Sequence, residues 1–372
     1  MVTELVREKM NKEYALVAIT KQGIMTAKKL QQGLSGSVLF YPKKLAEGGK
    51  GEEGIQLYEG STKELLTELF AKYPGIILFI ALGAVVRMIA PLLQDKKADP
   101  ALVVVDGKGE FAISVASGHL GGANQLTRKI ADLLGATPVI TTASDVQKTL
   151  SVDLLGSEFG FIIEDFTNVT KASAAIVNED SVALVQEVGD REWLHTTKLP
   201  TNIDLYPSLA ELKTDKYQAV LLITDRLLSV DEERVFRRNG VLYRPKSLCV
   251  GIGCNRGTSA QEIEEAIMQT LVDLNLSYKS VRNLATIDIK LDELGLLEIS
   301  RKYDWELVSY SAAELNQLPL KNPSEIVFQH TGAYGVSEPA AMLSAGTEEL
   351  IIEKRKLGNV TLSIARMKLE GW

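Results

Sequence analysis

The sequence has few of the residues that build disulfide frameworks or structural metal sites. Its 372 residues include two cysteines, Cys249 and Cys254, which do not form a C-x-x-C pair. Two cysteines cannot build a disulfide framework, and no cluster of cysteine and histidine stands near them. We therefore expect no metal ion held by the protein's own side chains.

Long apolar runs and an excess of basic residues are also missing. The most apolar run, residues 75–86, is too short to span a bilayer, and the N-terminus lacks the apolar core of a signal peptide. The formal net charge is −7, which does not favour a nucleic-acid-binding surface. We expect a cytoplasmic protein that contacts neither membranes nor nucleic acids.

Strand-like and helix-like segments alternate along most of the chain, and this order predicts an α/β fold. We predict an N-terminal doubly wound, mostly parallel sheet in residues 1–137, a small α/β middle segment in residues 138–244, and a separate C-terminal α/β domain in residues 245–372. Hairpins are predicted over residues 101–117 and 349–369. Capping boxes are predicted at three serines, each with a glutamate three residues later: Ser61, Ser259 and Ser311.

Four strand-to-helix junctions contain small and hydrogen-bonding residues. In open α/β sheets such loops gather at the carboxyl ends of the strands, where ligands bind. In the first, "ALGAVVRMIAP", Gly83 lets a ligand approach the start of a helix, and Arg87 is placed to bind a carboxylate with two hydrogen bonds. A tight turn followed by a solvated arginine is the alternative.

The second junction, "SGHLGGAN", is the most informative. Its glycines remove Cβ atoms, so backbone N–H groups can face an anion at the helix start, and His119 can transfer a proton near neutral pH. A histidine on a surface loop or at a helix cap is the alternative. The remaining predicted binding residues of this loop are Ser117, Gly118, Gly121, Gly122 and Asn124.

The third junction, "TTASDV", offers the hydroxyls of Thr141 and Thr142 and the carboxylate of Asp145, either for a ligand or for a helix cap.

The fourth junction, "VGIGCNRGTS", has glycines spaced G-x-G-x-x-x-G, which does not match the dinucleotide-binding pattern. The pattern predicts an anion-binding loop. A nucleophilic role for Cys254 is a less favoured alternative. Further along, Glu338 in "YGVSEP" either caps a helix or faces a ligand. The predicted binding residues of the fourth junction are Gly253, Arg256, Thr258 and Ser259.

Taken together, these strings resemble the CbiG family, the cobalt-precorrin-5A hydrolases. "ALGAVVRMIAP", "SGHLGGAN", "ITTASD", "VGIGCNRGTS" and "SEPAAMLSAG" occur in this order along most of the chain. The resemblance implies a role in anaerobic vitamin B12 biosynthesis. The family's substrate is a cobalt corrinoid whose ring-A acetate is closed as a δ-lactone onto C20. Water opens the lactone, C20 leaves with its methyl group as acetaldehyde, and cobalt-precorrin-5B remains.

Roles for individual residues are mechanistic hypotheses that we place on the residues of these strings. His119 is the candidate general base, with the N–H groups of Gly121 and Gly122 as donors to the oxyanion, and Glu338 is a second candidate catalytic residue. Binding of the cobalt by His119 is a rival role. The substrate carries the cobalt and its ring accepts the electrons, so no cofactor of the protein's own is implied. We expect the glycine-rich helix starts and Arg87, Arg128 or Arg256 to bind the carboxylate side arms of the corrinoid.

Two other functions stay open at this point. The C-terminal part resembles a stand-alone module of the aerobic pathway, so the chain is alternatively a corrinoid carrier without turnover. A nucleotide-binding α/β enzyme is the second rival, although its glycine spacing and phosphate-binding lysine are missing. The expected partner is the corrinoid substrate, with a homodimer or transfer contacts to neighbouring pathway enzymes left open.

Overall fold

The computed structural model describes residues 13–46, 53–95, 98–147, 149–196, 199–212 and 216–367. The chain divides into two compact units, Met1–Lys148 and Thr149–Trp372. Three sheets form these units, one in the first and two in the second. The predicted α/β class is therefore confirmed. Within the described ranges, no helix has the length and apolar character needed to cross a membrane.

The first unit contains a seven-stranded sheet in the order β3-β2-β1-β4-β5-β6-β7. Its first five members are parallel, β6 is antiparallel to β5, and β7 is parallel to β6. The strands are β1 (Tyr14–Ala18), β2 (Ser37–Pro42), β3 (Ile55–Tyr58), β4 (Gly75–Phe79), β5 (Ala101–Val105), β6 (Phe111–Ala116) and β7 (Thr137–Val139). The helices are α1 (Lys21–Gly33), α2 (Thr62–Phe70), α3 (Leu82–Ile89), α4 (Ala123–Leu134) and α5 (Ala143–Gln147).

Helices cover both faces of this sheet, because successive residues of a strand point to opposite sides. Leu16 of β1 packs in one core with α1 and α4, whereas its neighbours Ala15 and Val17 pack in another with α2 and α3. The capping box at Ser61 and Glu64 begins α2 as predicted. This arrangement is the doubly wound sheet that the sequence predicts.

The β5–β6 hairpin, which is confirmed, reverses the direction of the chain before the "SGHLGGAN" loop. Ala116 at the end of β6 pairs with Leu102 near the start of β5. The loop after β6 therefore lies at the edge where the parallel strands begin, and the loop before α3 lies at the edge where they end. A five-residue strand separates these edges by roughly 16 Å. The expectation that these two loops gather at one edge is wrong.

The second unit begins with a five-stranded sheet in the order β10-β9-β11-β12-β8, parallel except for β8. Its elements are β8 (Ile162–Ile163), α6 (Val169–Val177), β9 (Val182–Gln186), α7 (Glu192–Thr196), β10 (Ile203–Tyr206), β11 (Ala219–Ile223), α8 (Val230–Asn239) and β12 (Gly240–Arg244). β7 belongs to the first sheet, so that sheet continues past residue 137, where the sequence predicts the end of the first domain.

A second five-stranded sheet completes this unit, in the order β15-β14-β13-β17-β16. β13, β14 and β15 are parallel, and β16 and β17 form the predicted C-terminal hairpin. Its elements are β13 (Leu248–Cys254), α9 (Ala260–Asp273), β14 (Val281–Ile287), α10 (Leu294–Tyr303), β15 (Glu306–Tyr310), α11 (Ala312–Leu315), α12 (Glu325–Thr331), α13 (Ser337–Ala345), β16 (Leu350–Leu357) and β17 (Val360–Arg366).

The two faces of β13 have different neighbours. Val250 and Ile252 pack against residues of α9 and α10, while Gly251 lies against α13. Asp225, which follows β11, ties the two sheets of this unit together. Its carboxylate accepts hydrogen bonds from Arg366 Nε at 2.7 Å and from Ser247 Oγ at 2.8 Å. Asp225 is buried, so water competes little for the hydrogen bonds that join the two sheets.

Candidate active site

His119 and Asp145 form a hydrogen-bonded pair at one edge of the first sheet. His119 lies in the loop between β6 and α4, and Asp145 lies in α5, just after β7. Because β6 and β7 are parallel neighbours, their carboxyl ends bring the two loops together. Nε2 of His119 lies 2.8 Å from Oδ2 of Asp145, and Ser144 Oγ lies 3.1 Å from the same nitrogen.

Asn124 holds the carboxylate of this pair in place. Its Nδ2 donates to Asp145 Oδ2 at 2.8 Å and to Thr142 Oγ1 at 3.0 Å. Its Oδ1 accepts a hydrogen bond from Ser114 Oγ at 2.7 Å. Asn124 is buried, so water competes little for these bonds. The network orients Asp145 toward the imidazole of His119.

Electrostatics keep Asp145 ionised. Burial by itself raises the pKa of this carboxyl, but hydrogen bonds from Arg128 and His119 outweigh that effect and hold the pKa below its usual value. Arg128 pairs with the other oxygen, Oδ1. An ionised carboxylate only accepts hydrogen bonds, so Nε2 of His119 carries a proton and donates a hydrogen bond to Asp145. Asp145 therefore fixes the orientation of the imidazole ring.

The glycines of this loop shape the chain and do not all expose N–H groups to an anion. The N–H of Gly122 donates to the His119 carbonyl at 2.9 Å, and those of Ala123 and Asn124 donate to loop carbonyls at 3.0 and 2.9 Å. The N–H of Gly122 is therefore already used within the loop, which counts against the oxyanion role that we expect from the sequence. A Cβ at Gly121 would lie 2.3 Å from that of Ser117, so glycine there permits a tight turn.

The remaining predicted residues of this unit lie in different places. Gly83 and Arg87 stand at the opposite edge of the sheet, where Arg87 Nη1 donates to the Gly83 carbonyl of its own helix at 2.9 Å. Ser117 Oγ donates to the Asp99 carbonyl at 3.0 Å. Thr141 is exposed at the start of the loop before α5. The His119 loop and the "TTASDV" loop meet, and the Gly83 loop does not join them.

The second unit contains a cavity of about 770 Å³, within the range of small-molecule sites. It opens where β13 and β14 end, and residues of α12, α13 and β16 complete its walls. Gly253, Arg256 and Glu338 line it. Glu338 is buried at the start of α13 and accepts a hydrogen bond from the Lys354 N–H at 3.4 Å. Its catalytic role stays a prediction.

Other residues of the fourth junction stabilise the loop. Thr258 Oγ1 donates to the Asn255 carbonyl at 2.8 Å, and Ser259 Oγ caps α9 by accepting from the Glu262 N–H at 3.2 Å. Burial raises the pKa of the Cys254 thiol. A thiol with a raised pKa is a poor nucleophile at neutral pH, which counts against the Cys254 alternative.

The structure places several side chains in these sites that the sequence does not single out. Ser114 on β6 donates a hydrogen bond to Asn124. A polar residue within an otherwise apolar strand is a signal from which the sequence could have indicated this role. His330 lines the cavity from helix α12. Lys354 and Lys356 also line it, two residues apart on β16. Among the described residues, no cluster of three metal-binding side chains occurs.

Family models of cobalamin biosynthesis match three consecutive parts of the chain. The model described as Cobalamin synthesis G N-terminal matches residues 64–145, Cobalamin biosynthesis central region matches residues 150–245, and Cobalamin synthesis G C-terminus matches residues 248–365. The first match contains both His119 and Asp145, and the third contains the cavity.

Individual relatives agree with these models. The chain is 53% identical to the cobalt-precorrin-5A hydrolase of Priestia megaterium, covering 95% of this chain and 94% of that protein. It is 29% identical to the cobalt-precorrin-5A hydrolase of Salmonella typhimurium, covering 94% and 97%. A 121-residue segment is 35% identical to protein CobE of a Sinorhizobium species, covering 32% of this chain and 79% of that protein. Two of these relatives extend along nearly the whole chain.

Proposed function

The chain belongs to the CbiG family, and we propose that His119 and Asp145 are the catalytic pair with which it hydrolyses cobalt-precorrin-5A. The enzyme opens the δ-lactone of this substrate and releases acetaldehyde, which leaves cobalt-precorrin-5B in anaerobic vitamin B12 biosynthesis. Similarity to the Priestia megaterium hydrolase along nearly the entire length carries the assignment of the reaction. The carrier alternative is not favoured, because the similarity includes the N-terminal unit as well as the C-terminal part.

Lactone opening requires a proton to be removed from water and later delivered to the leaving oxygen. Nδ1 of His119 takes the proton as the water oxygen attacks the lactone carbonyl. The Asp145 carboxylate stabilises the imidazolium that forms, since Nε2 already donates to it at 2.8 Å. When the carbonyl–oxygen bond breaks, the imidazolium returns the proton to the C20 oxygen. The products of this step are a ring-A acetate and a C20 hydroxyl.

Acetaldehyde loss then requires the proton of the C20 hydroxyl to be removed. His119 is again the proposed acceptor, because the preceding step regenerates its neutral form. The C20 oxygen forms the carbonyl of acetaldehyde, and the electron pair of the broken carbon–carbon bond passes into the macrocycle. The corrinoid ring supplies this electron sink, so the protein's part is limited to binding and proton transfer.

Replacement of His119 by Asn tests the proposal. With the lactone substrate supplied under anaerobic conditions, the H119N variant should release acetaldehyde at least about 100-fold more slowly and still bind the corrinoid. Asp132→Asn, which changes an exposed carboxylate near the other end of α4, is the control and should keep wild-type activity. Unchanged release by H119N would remove His119 from the mechanism. A changed visible spectrum of the bound corrinoid would instead indicate cobalt ligation.

A cytoplasmic location and a homodimer, or transfer contacts with neighbouring pathway enzymes, remain predictions. Sedimentation of the purified protein over a range of concentrations tests the oligomeric state.

A further inference from the structure

Two lysines on β16 bring positive charge to the cavity of the second unit. Lys354 and Lys356 both line the cavity, and neither forms an ion pair within the described part of the chain. Their neighbours on the same strand differ. Glu353 pairs with Lys321, and Arg355 Nη2 lies 2.5 Å from Asp273 Oδ2. The charge on the cavity side of this strand is therefore available for an anionic ligand.

Other cationic groups of the cavity are already paired. Lys290 Nζ lies 2.9 Å from Glu293 Oε1. Arg256 Nη1 lies 2.5 Å from Asp292 Oδ1, and its Nε lies 3.2 Å from Glu293 Oε1. Each of these charges is compensated within the protein before any ligand binds. Arg256, which the sequence predicts to hold a carboxylate arm, is therefore a weaker candidate than the two lysines.

The cavity also exposes apolar side chains that a soluble domain normally buries. Ile326 on α12 is 71% exposed and Ile289 after β14 is 44% exposed, and both line the cavity. Ile287, Val327 and Val336 lie among the same lining residues. Apolar walls with a few placed polar groups are typical of small-molecule sites. A ligand that fits this cavity has an apolar body and negatively charged arms.

We propose that Lys354 and Lys356 bind carboxylate arms of the corrinoid while the apolar walls of the cavity contact its ring. The ligand class rests on the proposed function, since a tetrapyrrole bearing acetate and propionate arms combines both properties. The binding role does not depend on His119. His330, which also lines the cavity, supplies a ring nitrogen for a further hydrogen bond.

Binding of two stable corrinoids to the full-length protein tests this site. Cobyrinic acid has carboxylate arms, and cobinamide has amide arms in their place. The K354Q/K356Q variant should bind cobyrinic acid about tenfold or more weakly than the wild type, and bind cobinamide unchanged. K171Q/K302Q is the matched control, because it removes the same number of charges from exposed lysines of this unit that lie outside the cavity lining.

Three results would overturn the proposal. They are unchanged affinity of K354Q/K356Q for cobyrinic acid, an equal loss of affinity for both corrinoids, and an equal loss in K171Q/K302Q. Matching thermal transitions of both variants and the wild type exclude a folding defect. Binding is measured without turnover, so failure of the acetaldehyde assay with H119N leaves this result interpretable.

Discussion

Nε2 of His119 lies 2.8 Å from Oδ2 of Asp145, although the two residues are 26 positions apart in the chain. The contact exists because β6 and β7 are parallel neighbours whose carboxyl ends carry the two loops. Asp145 is thereby the group that sets the tautomer of His119.

Asp145→Asn tests whether this orientation matters for catalysis. An amide at this position can donate to Nε2, which favours the tautomer with the proton on the wrong nitrogen. We expect kcat to fall by about 10²–10⁴-fold and corrinoid binding to be retained. Anaerobic acetaldehyde release and corrinoid titration measure the two properties, with Asp132→Asn as the control. A variant with wild-type kcat would show that the carboxylate is dispensable.

Gly122→Ala tests the backbone of the His119 loop. Gly122 has φ +80°, and a Cβ there would meet nothing within 4 Å, so the substitution changes only the conformational preference of the backbone. We expect a loss of about 1–2 kcal/mol in the free energy of unfolding in urea. Gly122→Asn should lose less, because asparagine tolerates the left-handed region. Equal stability of the alanine variant and the wild type would contradict this account.

We expect the stability of the second unit to depend on pH through the carboxyl group of Glu232. Hydrogen bonds from Arg226 lower the pKa of Glu232 to about 2, with Arg226 Nη2 at 2.8 Å and Nη1 at 2.9 Å from its two oxygens. The unfolded-chain pKa is about 4.3, so the ionised carboxylate stabilises the fold above that pH and loses the effect as pH falls toward 2.

Glu232→Gln should therefore lower the free energy of unfolding by about 1–3 kcal/mol at pH 7, and the deficit should shrink between pH 5 and pH 3. Glu233→Gln is the control, because its pair with Arg237 is exposed and 3.7 Å long. Denaturation at several pH values gives both curves. A deficit that stays constant from pH 7 to pH 3 would rule out the ionised pair as its cause.

Gly251→Ala tests the close packing of β13 on α13. A Cβ at residue 251 would lie 1.8 Å from the Ser337 carbonyl oxygen and 2.7 Å from the Ala341 nitrogen. Both are backbone atoms, so the helix itself would have to move. We expect a loss of about 3 kcal/mol or more in the free energy of unfolding. Gly83→Ala is the contrast, since its Cβ would meet only Arg87 Nη1 at 3.5 Å and helix propensity favours alanine. Similar losses in both variants would contradict the packing argument.

Local sequence signals predict much of the fold correctly. The capping boxes at Ser61 and Ser311 form as predicted, and Ser259 caps α9 while its partner Glu262 bonds instead to the Asn359 N–H at 2.8 Å. Both predicted hairpins form. Strand β7 includes only Thr137–Val139, and the residues of the "TTASDV" junction follow it. The later residues of that junction form α5, where Asp145 pairs with His119.

The predicted site is only partly correct in its geometry. The sequence places His119 in a loop with the right chemistry, and the structure adds Asp145 and Asn124 as its supports. Gly83 and Arg87 were expected at the same edge of the sheet, yet the β5–β6 hairpin puts the two loops at opposite edges. The hairpin predicted over residues 101–117 already implies this reversal of strand direction.

The sequence by itself determined the α/β elements, their caps and hairpins, and the glycine-rich setting of His119, because each depends on residues within a few positions of one another. Only the tertiary structure decided that Asp145 contacts His119, and that Lys354 and Lys356 line a cavity without forming an ion pair within the described part of the chain. These relationships depend on strand order and strand direction, which are set when both faces of each sheet are buried against helices and which no local pattern encodes.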